Sequence, residues 1–567
     1  MKVTDYIIEY IVKQGVTDIF GYPGGVICHF MDSATKYTSD INVHINYHEQ
    51  AAAFAACGYA QEKCEVGVAF STSGPGATNL VTGIANAYFD SIPVVFFTGQ
   101  VDTYGLKGKL PVRQRGFQET DMVSIVKSIT KYAVRVDSPE NIRYELEKAF
   151  YIAKEGNPGP VLIDLPADVQ RADVRVDSLQ GYKGDLSINK FSKEADIILK
   201  KLREANRPCL LVGNGIKQSG CKKEIKRIVE RLQIPTVFSM PAFDTLSYEN
   251  KYNYGFIGAN GHRYGNFVLG KADLIICLGS RMDLKQVGND RKKFAAQAEI
   301  IRVDIDKNNF QYMVHNNEIQ IYADIRLLLH TLEEHITDEI KCNEQWNRAC
   351  NEIKKTLANY DDEEYTLLLK NYAESMPDEI SMTLDVGQSQ VWCAQQIHVK
   401  ENQSVHMSAG HGTMGYALPA AIGSYYASRK PVVCFNGDGG IQMNIQELQF
   451  LAREKLPITV VILNNHALGM IRGFQEANFE ANYTQTIEGT GYAVPDFEKI
   501  AYAYGMNYKK VLYMDELSEL NTVQGPSIIE IALPINTSLN PNFGRNGLIQ
   551  DQRPYIDRKL YDKLMEL

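Results

Sequence analysis

One stretch of this sequence, from Asn436 to Asn465, limits the fold more than any other. A short apolar run, residues 431–435, leads into the turn Asn436-Gly437-Asp438-Gly439-Gly440, and a second run, residues 458–463, leads into Asn464-Asn465. Short apolar runs bounded by glycine turns are typical of buried strands. The residues between the two runs have room for one helix, so the pattern predicts a strand, a glycine turn, a helix and a second strand.

The polar residues of this stretch lie where open α/β sheets bind their ligands. Asp438 and Asn465 follow the carboxyl ends of the two predicted strands. Gly437, Gly439 and Gly440 allow the backbone to approach a ligand closely, and the following helix would direct its N-terminal N–H groups at an anion. Carboxylate and amide oxygens suit Mg²⁺ that is shared with phosphate groups. We therefore predict a diphosphate that is held through a divalent cation.

The composition of the chain is that of a large protein with several domains. Its 567 residues exceed what one hydrophobic core supports, and 44% apolar and 22% charged residues are ordinary values for a globular protein. The net charge of −9 leaves no global basic field for nucleic acid or an acidic membrane. The cysteines form no Cys-x-x-Cys pair, the N-terminus lacks a signal-peptide pattern, and no apolar run approaches the ~20 residues of a membrane span. We predict a cytoplasmic protein that binds neither nucleic acid nor a membrane.

Apolar runs alternate with helical patterns along most of the chain. This alternation predicts an α/β fold with parallel sheets that are covered by helices. We expect three doubly wound parallel-sheet domains, at residues 1–172, 190–335 and 370–535, and a C-terminal arm at residues 536–567. The arm is rich in turns and then charged, and both a lid and an arm over an active site are compatible with its sequence.

The first predicted domain has a carboxylate at a junction between a strand and a helix. Ile41, Val43 and Ile45 alternate as in a strand, and an alanine-rich helix follows from Ala51 to Ala60. Glu49 therefore lies at the start of that helix, where the helix dipole alone favours a carboxylate. A catalytic role becomes the better interpretation only through the other motifs of the chain.

Taken together, these motifs resemble the acetolactate synthase family of thiamin diphosphate enzymes. Residues 437–465 are similar to the thiamin diphosphate motif, which begins Gly-Asp-Gly and ends Asn-Asn. The resemblance continues through residues 71–79, 91–100, 116–121 and 159–170. It implies that the three domains are pyrimidine-binding, middle and diphosphate-binding domains, and that the cofactors are thiamin diphosphate and Mg²⁺.

The resemblance also implies roles for residues of the first domain. Glu49 would activate the cofactor through its aminopyrimidine ring, and Phe117 and Gln118 would lie near the bound substrate. Gln118 would hydrogen-bond an oxygen that gains charge during the reaction. Packing in the core is an equally good interpretation of Phe117.

In the third domain the resemblance implies a complete cofactor site. The metal ligands would be the side chains of Asp438 and Asn465 and the backbone carbonyl of Ala467. Met414 resembles the apolar residue that keeps the cofactor bent, and Gly412 resembles the residue whose carbonyl accepts a hydrogen bond from the 4′-amino group. The other implied cofactor-binding residues are Val386, Gly387, Gln388, Ser389, Gly437, Gly439, Gly440, Gly469 and Met470.

The reaction implied by the resemblance is the decarboxylation of a 2-oxo acid, with pyruvate as the expected donor, followed by ligation of the two-carbon unit to a carbonyl acceptor. Two alternatives are ligation to a larger acceptor, such as a nucleotide-linked keto sugar, and simple decarboxylation. Gly473-Phe474 stands where biosynthetic members usually have Gln-Trp, so we expect these residues to shape a different acceptor pocket. A basic insert with Lys107, Lys109, Arg113 and Arg115 is either a solvated loop or a site for an anionic group.

Two further properties of the family concern FAD and subunits. Its middle domain often holds FAD without a redox role; Gly213, Gly215 and Arg281 fit that pattern. Ala259-Asn260, in place of Met-His, and Lys127, in place of arginine, depart from it, so FAD stays an open alternative. In the superfamily the activating glutamate meets the diphosphate site across a subunit interface. We therefore expect a homodimer, or a homotetramer built from dimers, that acts on small molecules.

Overall fold

The computed structural model describes residues 1–184, 190–337, 339–512, 525–544 and 547–567. Within these residues the chain forms three sheets, each with six parallel strands and flanking helices. The predicted α/β class with three doubly wound sheets is confirmed. Among the same residues, no helix has both the length and the apolar character that are needed to cross a bilayer.

The first sheet has the strand order β2-β1-β3-β4-β6-β5. Its strands are β1 Asp18–Gly21, β2 Asn42–Ile45, β3 Gly67–Ser71, β4 Val94–Gln100, β5 Tyr132–Arg135 and β6 Val161–Pro166. Its helices are α1 Val3–Lys13, α2 Cys28–Ala34, α3 Glu49–Lys63, α4 Pro75–Asn79, α5 Val81–Phe89, α6 Met122–Val126, α7 Ile142–Lys154 and α8 Ala167–Arg171. Every residue of β4 is buried, as expected for a parallel strand that is covered on both faces.

The middle sheet has the order β12-β11-β10-β7-β8-β9. Successive strands are added on one side of β7 up to β9 and then on its other side from β10 onward, so the strand order reverses between β7 and β10. Its strands are β7 Pro208–Val212, β8 Thr236–Phe238, β9 Asn253–Phe256, β10 Leu274–Leu278, β11 Glu299–Asp304 and β12 Ile319–Tyr322. The helices are α9 Ser192–Glu204, α10 Asn214–Gln218, α11 Lys222–Leu232, α12 Arg263–Lys271, α13 Leu284–Val287 and α14 Ile325–His335, and α15 Glu344–Leu357 and α16 Glu364–Ser375 then lead to the third sheet.

The third sheet repeats the order of the first, as β14-β13-β15-β16-β18-β17. Its strands are β13 Ser381–Leu384, β14 Ser404–Met407, β15 Val432–Gly437, β16 Ile458–Asn464, β17 Asn507–Val511 and β18 Ser527–Ala532. Its helices are α17 Gln388–Gln396, α18 Ala417–Ser428, α19 Leu448–Glu454, α20 Gly469–Asn478 and α21 Phe497–Tyr504. The predicted strands at 431–435 and 458–463 are β15 and β16, and Gly437 pairs with Leu463, so Asp438 and Asn465 leave the sheet side by side.

The first and third domains pack through α3 and α18, whose backbones approach closely. A side chain on Gly58 would place its Cβ 2.2 Å from the carbonyl oxygen of Ala420, and one on Gly423 would place it 1.8 Å from that of Ala55. Only glycine fits at these two positions, because a Cβ atom would overlap backbone. The close contact joins the two domains into one hydrophobic core.

The C-terminal arm runs along the middle domain. The buried side chain of Arg263 donates hydrogen bonds to the backbone carbonyls of Gln552 and Pro554. The arm ends with α22, Arg558–Glu566, and Lys271 donates to the carbonyls of Leu564 and Met565 in its last turn. Part of the arm is therefore docked on α12 of the middle domain.

Candidate functional site

The turns that follow β13, β14, β15 and β16 surround one cavity of about 1030 Å³. The structure brings all of the cofactor-binding residues predicted from the sequence together around this cavity. They are Val386, Gly387, Gln388, Ser389, Gly412, Met414, Gly437, Asp438, Gly439, Gly440, Asn465, Ala467, Gly469 and Met470. The carboxyl ends of neighbouring parallel strands meet at the same edge of a sheet, which is why residues so distant in sequence converge here.

The side chains of Asp438 and Asn465 meet at the backbone of Ala467. Its N–H lies 3.3 Å from Asp438 Oδ2 and 3.3 Å from Asn465 Oδ1. The hydroxyl of Tyr492 donates to Asp438 Oδ1 at 2.9 Å, and burial raises the pKa of Asp438 above its ordinary value. A carboxylate, an amide oxygen and a backbone carbonyl are donors of the class that Mg²⁺ takes. In the part of the chain that the structure describes, no group of three or more His, Cys, Asp and Glu side chains is arranged to hold a metal ion.

Two buried side chains surround the amide of Asn465. Asn465 Nδ2 donates to Gln388 Oε1 and to Thr537 Oγ1, both at 3.0 Å, and Gln388 Nε2 donates to the carbonyl of Thr537 at 3.2 Å. A side chain on Gly469 would place its Cβ 1.8 Å from Gln388 Oε1, so the amide of Gln388 would have to move. Sequence reasoning missed Thr537, because it lies in the arm, far from any motif.

Asp385, at the end of β13, holds the turn that carries Met414. Its buried carboxylate accepts hydrogen bonds from the backbone N–H groups of Gly415 at 3.1 Å and Tyr416 at 2.9 Å, and burial raises its pKa to about 7. A Cβ on Gly439 would lie 3.0 Å from Met414 Cε, so Met414 packs directly on the glycine turn after β15. This contact places an apolar side chain beside the predicted diphosphate site.

Glu49 and Gln118 lie together around one glycine turn of the first domain. Glu49 starts α3 and its Oε2 accepts a hydrogen bond from Asn79 Nδ2 at 2.9 Å. A Cβ on Gly76 would lie 2.9 Å from Glu49 Oε1, and one on Gly74 would lie 2.8 Å from the Cβ of Gln118. Both glycines therefore leave space for the two predicted active-site side chains.

Phe117 is the most unusual residue of this group. Its side chain is 85% exposed, so the alternative that it packs in the core is wrong for a single chain. The neighbouring Gln118 has a φ of 64°, in the left-handed region that a residue with a side chain seldom adopts. Phe117 therefore presents its ring to the surface beside a residue with left-handed backbone.

The two groups of residues do not meet within one chain. The first domain lines the cavity with several residues, Phe89 and Asp90 among them, whereas Glu49, Phe117 and Gln118 are not among its lining residues. The turn before α3 packs on the third domain, where Glu447 accepts hydrogen bonds from Asn46 Nδ2 at 3.0 Å and the N–H of Tyr47 at 2.8 Å. We name the residues around Glu49 the activator half-site and those around Asp438 the cofactor half-site.

Gly473 and Phe474 lie outside the cavity, on the outer part of α20. Nothing lies within 4 Å of a Cβ that is added to Gly473, and Phe474 is 46% exposed and contacts the ring of Phe479 with centroids 5.8 Å apart. Met470 and Ile471, one turn earlier, line the rim of the cavity. The predicted role of Gly473 and Phe474 in acceptor choice stays a prediction.

The basic insert is a surface loop that is organised around one carboxylate. Glu119 accepts hydrogen bonds from the backbone N–H groups of Lys107 at 2.7 Å and Arg115 at 2.8 Å. The side chains of Lys109, Arg113 and Arg115 are exposed. The loop leads directly into Phe117 and therefore lies beside the activator half-site.

The cavity continues from the cofactor half-site into the middle domain. It reaches the crevice between the ends of β7 and β10, where Gly215 and Arg281 line it, together with Ala259 and Asn260. Gly213 supports this crevice from behind, since a Cβ there would lie 2.1 Å from the carbonyl oxygen of Gly279. Lys127 is not among the lining residues.

Three family models match the chain in order. They are the thiamine pyrophosphate enzyme N-terminal TPP binding domain at residues 1–125, the central domain at residues 195–332 and the C-terminal TPP binding domain at residues 385–531. The chain is 36% identical to a probable acetolactate synthase large subunit of Methanocaldococcus jannaschii, over 100% of this chain and 98% of that protein. It is 32% identical to the acetolactate synthase isozyme 2 large subunit of Escherichia coli, over 94% and 96%, and 34% identical to the acetolactate synthase large subunit of Lactococcus lactis, over 93% and 92%. The chain therefore belongs to the thiamine pyrophosphate enzymes, in the family of the acetolactate synthase large subunits.

Proposed function

We propose that this protein decarboxylates pyruvate with thiamin diphosphate and ligates the two-carbon unit to a carbonyl acceptor, as an acetolactate synthase does. The observation that carries the proposal is the convergence of Asp438, Asn465 and Met414 on one cavity at the ends of the third sheet. The named relatives favour acetolactate formation over a larger acceptor or simple decarboxylation.

The residues of the cofactor half-site fit the cofactor and its metal. Asp438, Asn465 and the carbonyl of Ala467 would hold Mg²⁺, and the turns 386–389 and 437–440 would receive the diphosphate. Bound thiamin diphosphate supplies the electron sink that the breaking and forming of carbon–carbon bonds requires. Met414 would pack against the cofactor and exclude water from its reacting side.

The residues of the activator half-site would move a proton and stabilise charge. The carboxylate of Glu49 would hydrogen-bond N1′ of the aminopyrimidine and exchange a proton with it. The amide of Gln118 would donate to an oxygen of the substrate that gains negative charge. Phe117 would close the site on the side of the substrate, because its exposed ring needs an apolar partner.

The proposal includes a second copy of the chain. Glu49 lies outside the cavity of its own chain, and large apolar side chains are exposed beside both half-sites: Phe117 at 85%, Met470 at 47% and Ile471 at 51%. A two-fold interface that brings each activator half-site to the partner's cofactor half-site would cover them and build two equal sites. We propose a homodimer as the active unit. A measurement of the mass of the protein in solution would distinguish a homodimer from a homotetramer.

We also propose FAD without a redox role as the occupant of the middle-domain part of the cavity. The crevice lies where the strand order reverses, which is where such folds bind dinucleotides, and Arg281 is available there for a diphosphate. Asn260, which departs from the family pattern, donates a hydrogen bond to the carbonyl of Pro541 and so helps to hold the arm. The purified protein should show flavin absorbance, and protein that neither carries flavin nor binds added FAD would contradict this part alone.

The proposal as a whole is tested by product analysis. Purified protein with thiamin diphosphate, Mg²⁺ and pyruvate should release CO₂ and form acetolactate, and protein without the cofactor is the control. Absence of CO₂ release would show that the donor is wrong. Release of CO₂ with acetaldehyde as the only product would identify a simple decarboxylase instead.

A further inference from the structure

The arm reaches the cofactor half-site through Thr537. This residue is 2% exposed and lies against two side chains of that half-site, Asn465 and Gln388, which are 5% and 7% exposed. Its carbonyl also accepts a hydrogen bond from the buried guanidinium of Arg472 in α20. A threonine of the arm is thus buried against the amide of a proposed metal ligand.

Thr537 orients the side-chain amide of Gln388 and, through it, that of Asn465. Its carbonyl oxygen is an acceptor only, so the group of Gln388 that faces it at 3.2 Å is the amide nitrogen, Nε2. Gln388 must then direct its oxygen to Asn465, whose Nδ2 donates to it at 3.0 Å. The hydroxyl of Thr537 accepts the second hydrogen of the same Nδ2 at 3.0 Å.

The consequence concerns the metal. An amide turned by half a rotation would present its NH₂ group, which cannot bind a cation, in place of its oxygen. With both hydrogens of Nδ2 engaged, Asn465 directs Oδ1 towards Ala467 and the neighbouring Asp438. Partners that orient a metal ligand in this way affect metal affinity without touching the metal.

We infer that Thr537 is a positioning residue for the metal site, and that the arm completes this site by holding the amide of Asn465 in its metal-binding orientation. The inference rests on the Mg²⁺ site of the proposed function. The path of the arm supports it, because Trp392 Nε1 and Gln395 Nε2 in α17 donate to the carbonyls of Ser538 and Asn540, at 3.3 Å and 3.2 Å. These bonds fix the backbone next to Thr537.

The test measures the Mg²⁺ concentration at which thiamin diphosphate binding is half-maximal, by equilibrium dialysis of the full-length protein. Thr537→Val keeps the shape of the side chain and removes the hydroxyl, so this concentration should rise about 10- to 100-fold. Thr537→Ser should restore it to within about threefold of the wild type. Thr459→Val is the matched control, because Thr459 is equally buried at the other end of β16 and its hydroxyl is hydrogen-bonded to the hydroxyl of Ser527, at 3.1 Å.

Each outcome decides the inference. A value for Thr537→Val within about threefold of the wild type, or an equal rise in Thr537→Ser or Thr459→Val, would overturn it. If Thr537→Val does not fold, Thr537→Ala provides the same comparison. Wild-type protein that binds thiamin diphosphate without any divalent cation would instead contradict the metal site of the proposed function.

Discussion

The first and third domains have the same strand order, yet they carry different parts of the chemistry. In the third sheet, Asp438 and Asn465 follow β15 and β16, two strands in the interior of the sheet, and the ends of neighbouring strands enclose them in a cavity. In the first sheet, Glu49 follows β2, which lies at the edge. The end of an edge strand is open on one side, so it can serve a site that belongs to another chain.

The same comparison explains how the domains are joined. The units β2–α3 and β14–α18 occupy equivalent positions in their sheets, and α3 and α18 pack directly on each other. The two domains are thus related much as two subunits are in a symmetric dimer, where one patch contacts its own equivalent. The connection between the edge strand and the following helix carries Glu49 in the first domain and the turn with Met414 in the third.

The largest effects are expected from substitutions of Asp438 and Glu49, and they distinguish cofactor binding from catalysis. Asp438→Ala should abolish Mg²⁺-dependent binding of thiamin diphosphate and with it activity, because it removes the only carboxylate among the proposed ligands. Glu49→Gln should still bind the cofactor but lose at least about 100-fold in activity and slow hydrogen exchange at the cofactor's C2. Equilibrium dialysis and CO₂ release measure the two quantities. Equal loss of cofactor binding in both variants would remove the distinction.

A mixing experiment tests whether the two half-sites come from different chains. Glu49→Gln and Asp438→Ala homodimers should each be inactive, whereas a mixed dimer would hold one complete site, with Glu49 from one chain and Asp438 from the other. Random mixing at equal amounts should therefore restore about a quarter of the wild-type activity. If Glu49 acted within its own chain, the mixture would stay as inactive as its components.

Two glycines in α20 provide a matched pair for the geometry of the cofactor half-site. Gly469→Ala should weaken thiamin diphosphate binding by at least about tenfold, because its Cβ would displace Gln388, which orients Asn465. Gly473→Ala has open space and should keep cofactor binding, while the helix gains up to about 1 kcal/mol from alanine. Binding is followed by dialysis and stability by thermal melting. A similar loss of binding in Gly473→Ala would contradict the role of Gly469.

The smallest expected effect concerns pH and the contact between the two domains. Burial raises the pKa of Glu447 to about 7, above its value in the unfolded chain, so the folded protein holds a proton that the unfolded chain releases. This contribution to stability is complete below about pH 4 and is lost as the pH rises to about 7.

Glu447→Gln should therefore make the melting temperature less dependent on pH between about 5 and 7. The side chain of glutamine keeps one oxygen as an acceptor for one of the two donors, Asn46 Nδ2 or the N–H of Tyr47, but has no proton to lose. Melting curves of both proteins without cofactor measure the difference. Equal slopes would show that Glu447 does not titrate in this range.

The sequence was informative where a site is built by neighbouring segments. The strands around Asn436–Asn465 and the glycine turn between them depend on local patterns, and both were predicted close to their actual bounds. Thr537, Tyr492 and Asp385 were missed, because a threonine, a tyrosine and a buried aspartate have no pattern that distinguishes them from ordinary core residues. Their roles arise only when distant segments pack together.

The exposure of Phe117 and the separation of Glu49 from the cavity could not be predicted for the same reason. Both depend on how whole domains pack, through contacts such as that of Glu447 with Asn46. The resemblance to a known family supplied the roles of these residues, while the structure supplied their positions. The residue boundaries of the three domains and of the arm stay predictions.

The position of Thr537 within the chain has a consequence for protein synthesis. A ribosome completes the strands that carry Asp438 and Asn465 well before it adds the arm, and domains begin to fold as they emerge. Until the arm has docked along α12, Asn465 lacks one of the acceptors that orient its amide. In a growing chain the cofactor half-site therefore gains this orienting partner only after β18 and the start of the arm have been made.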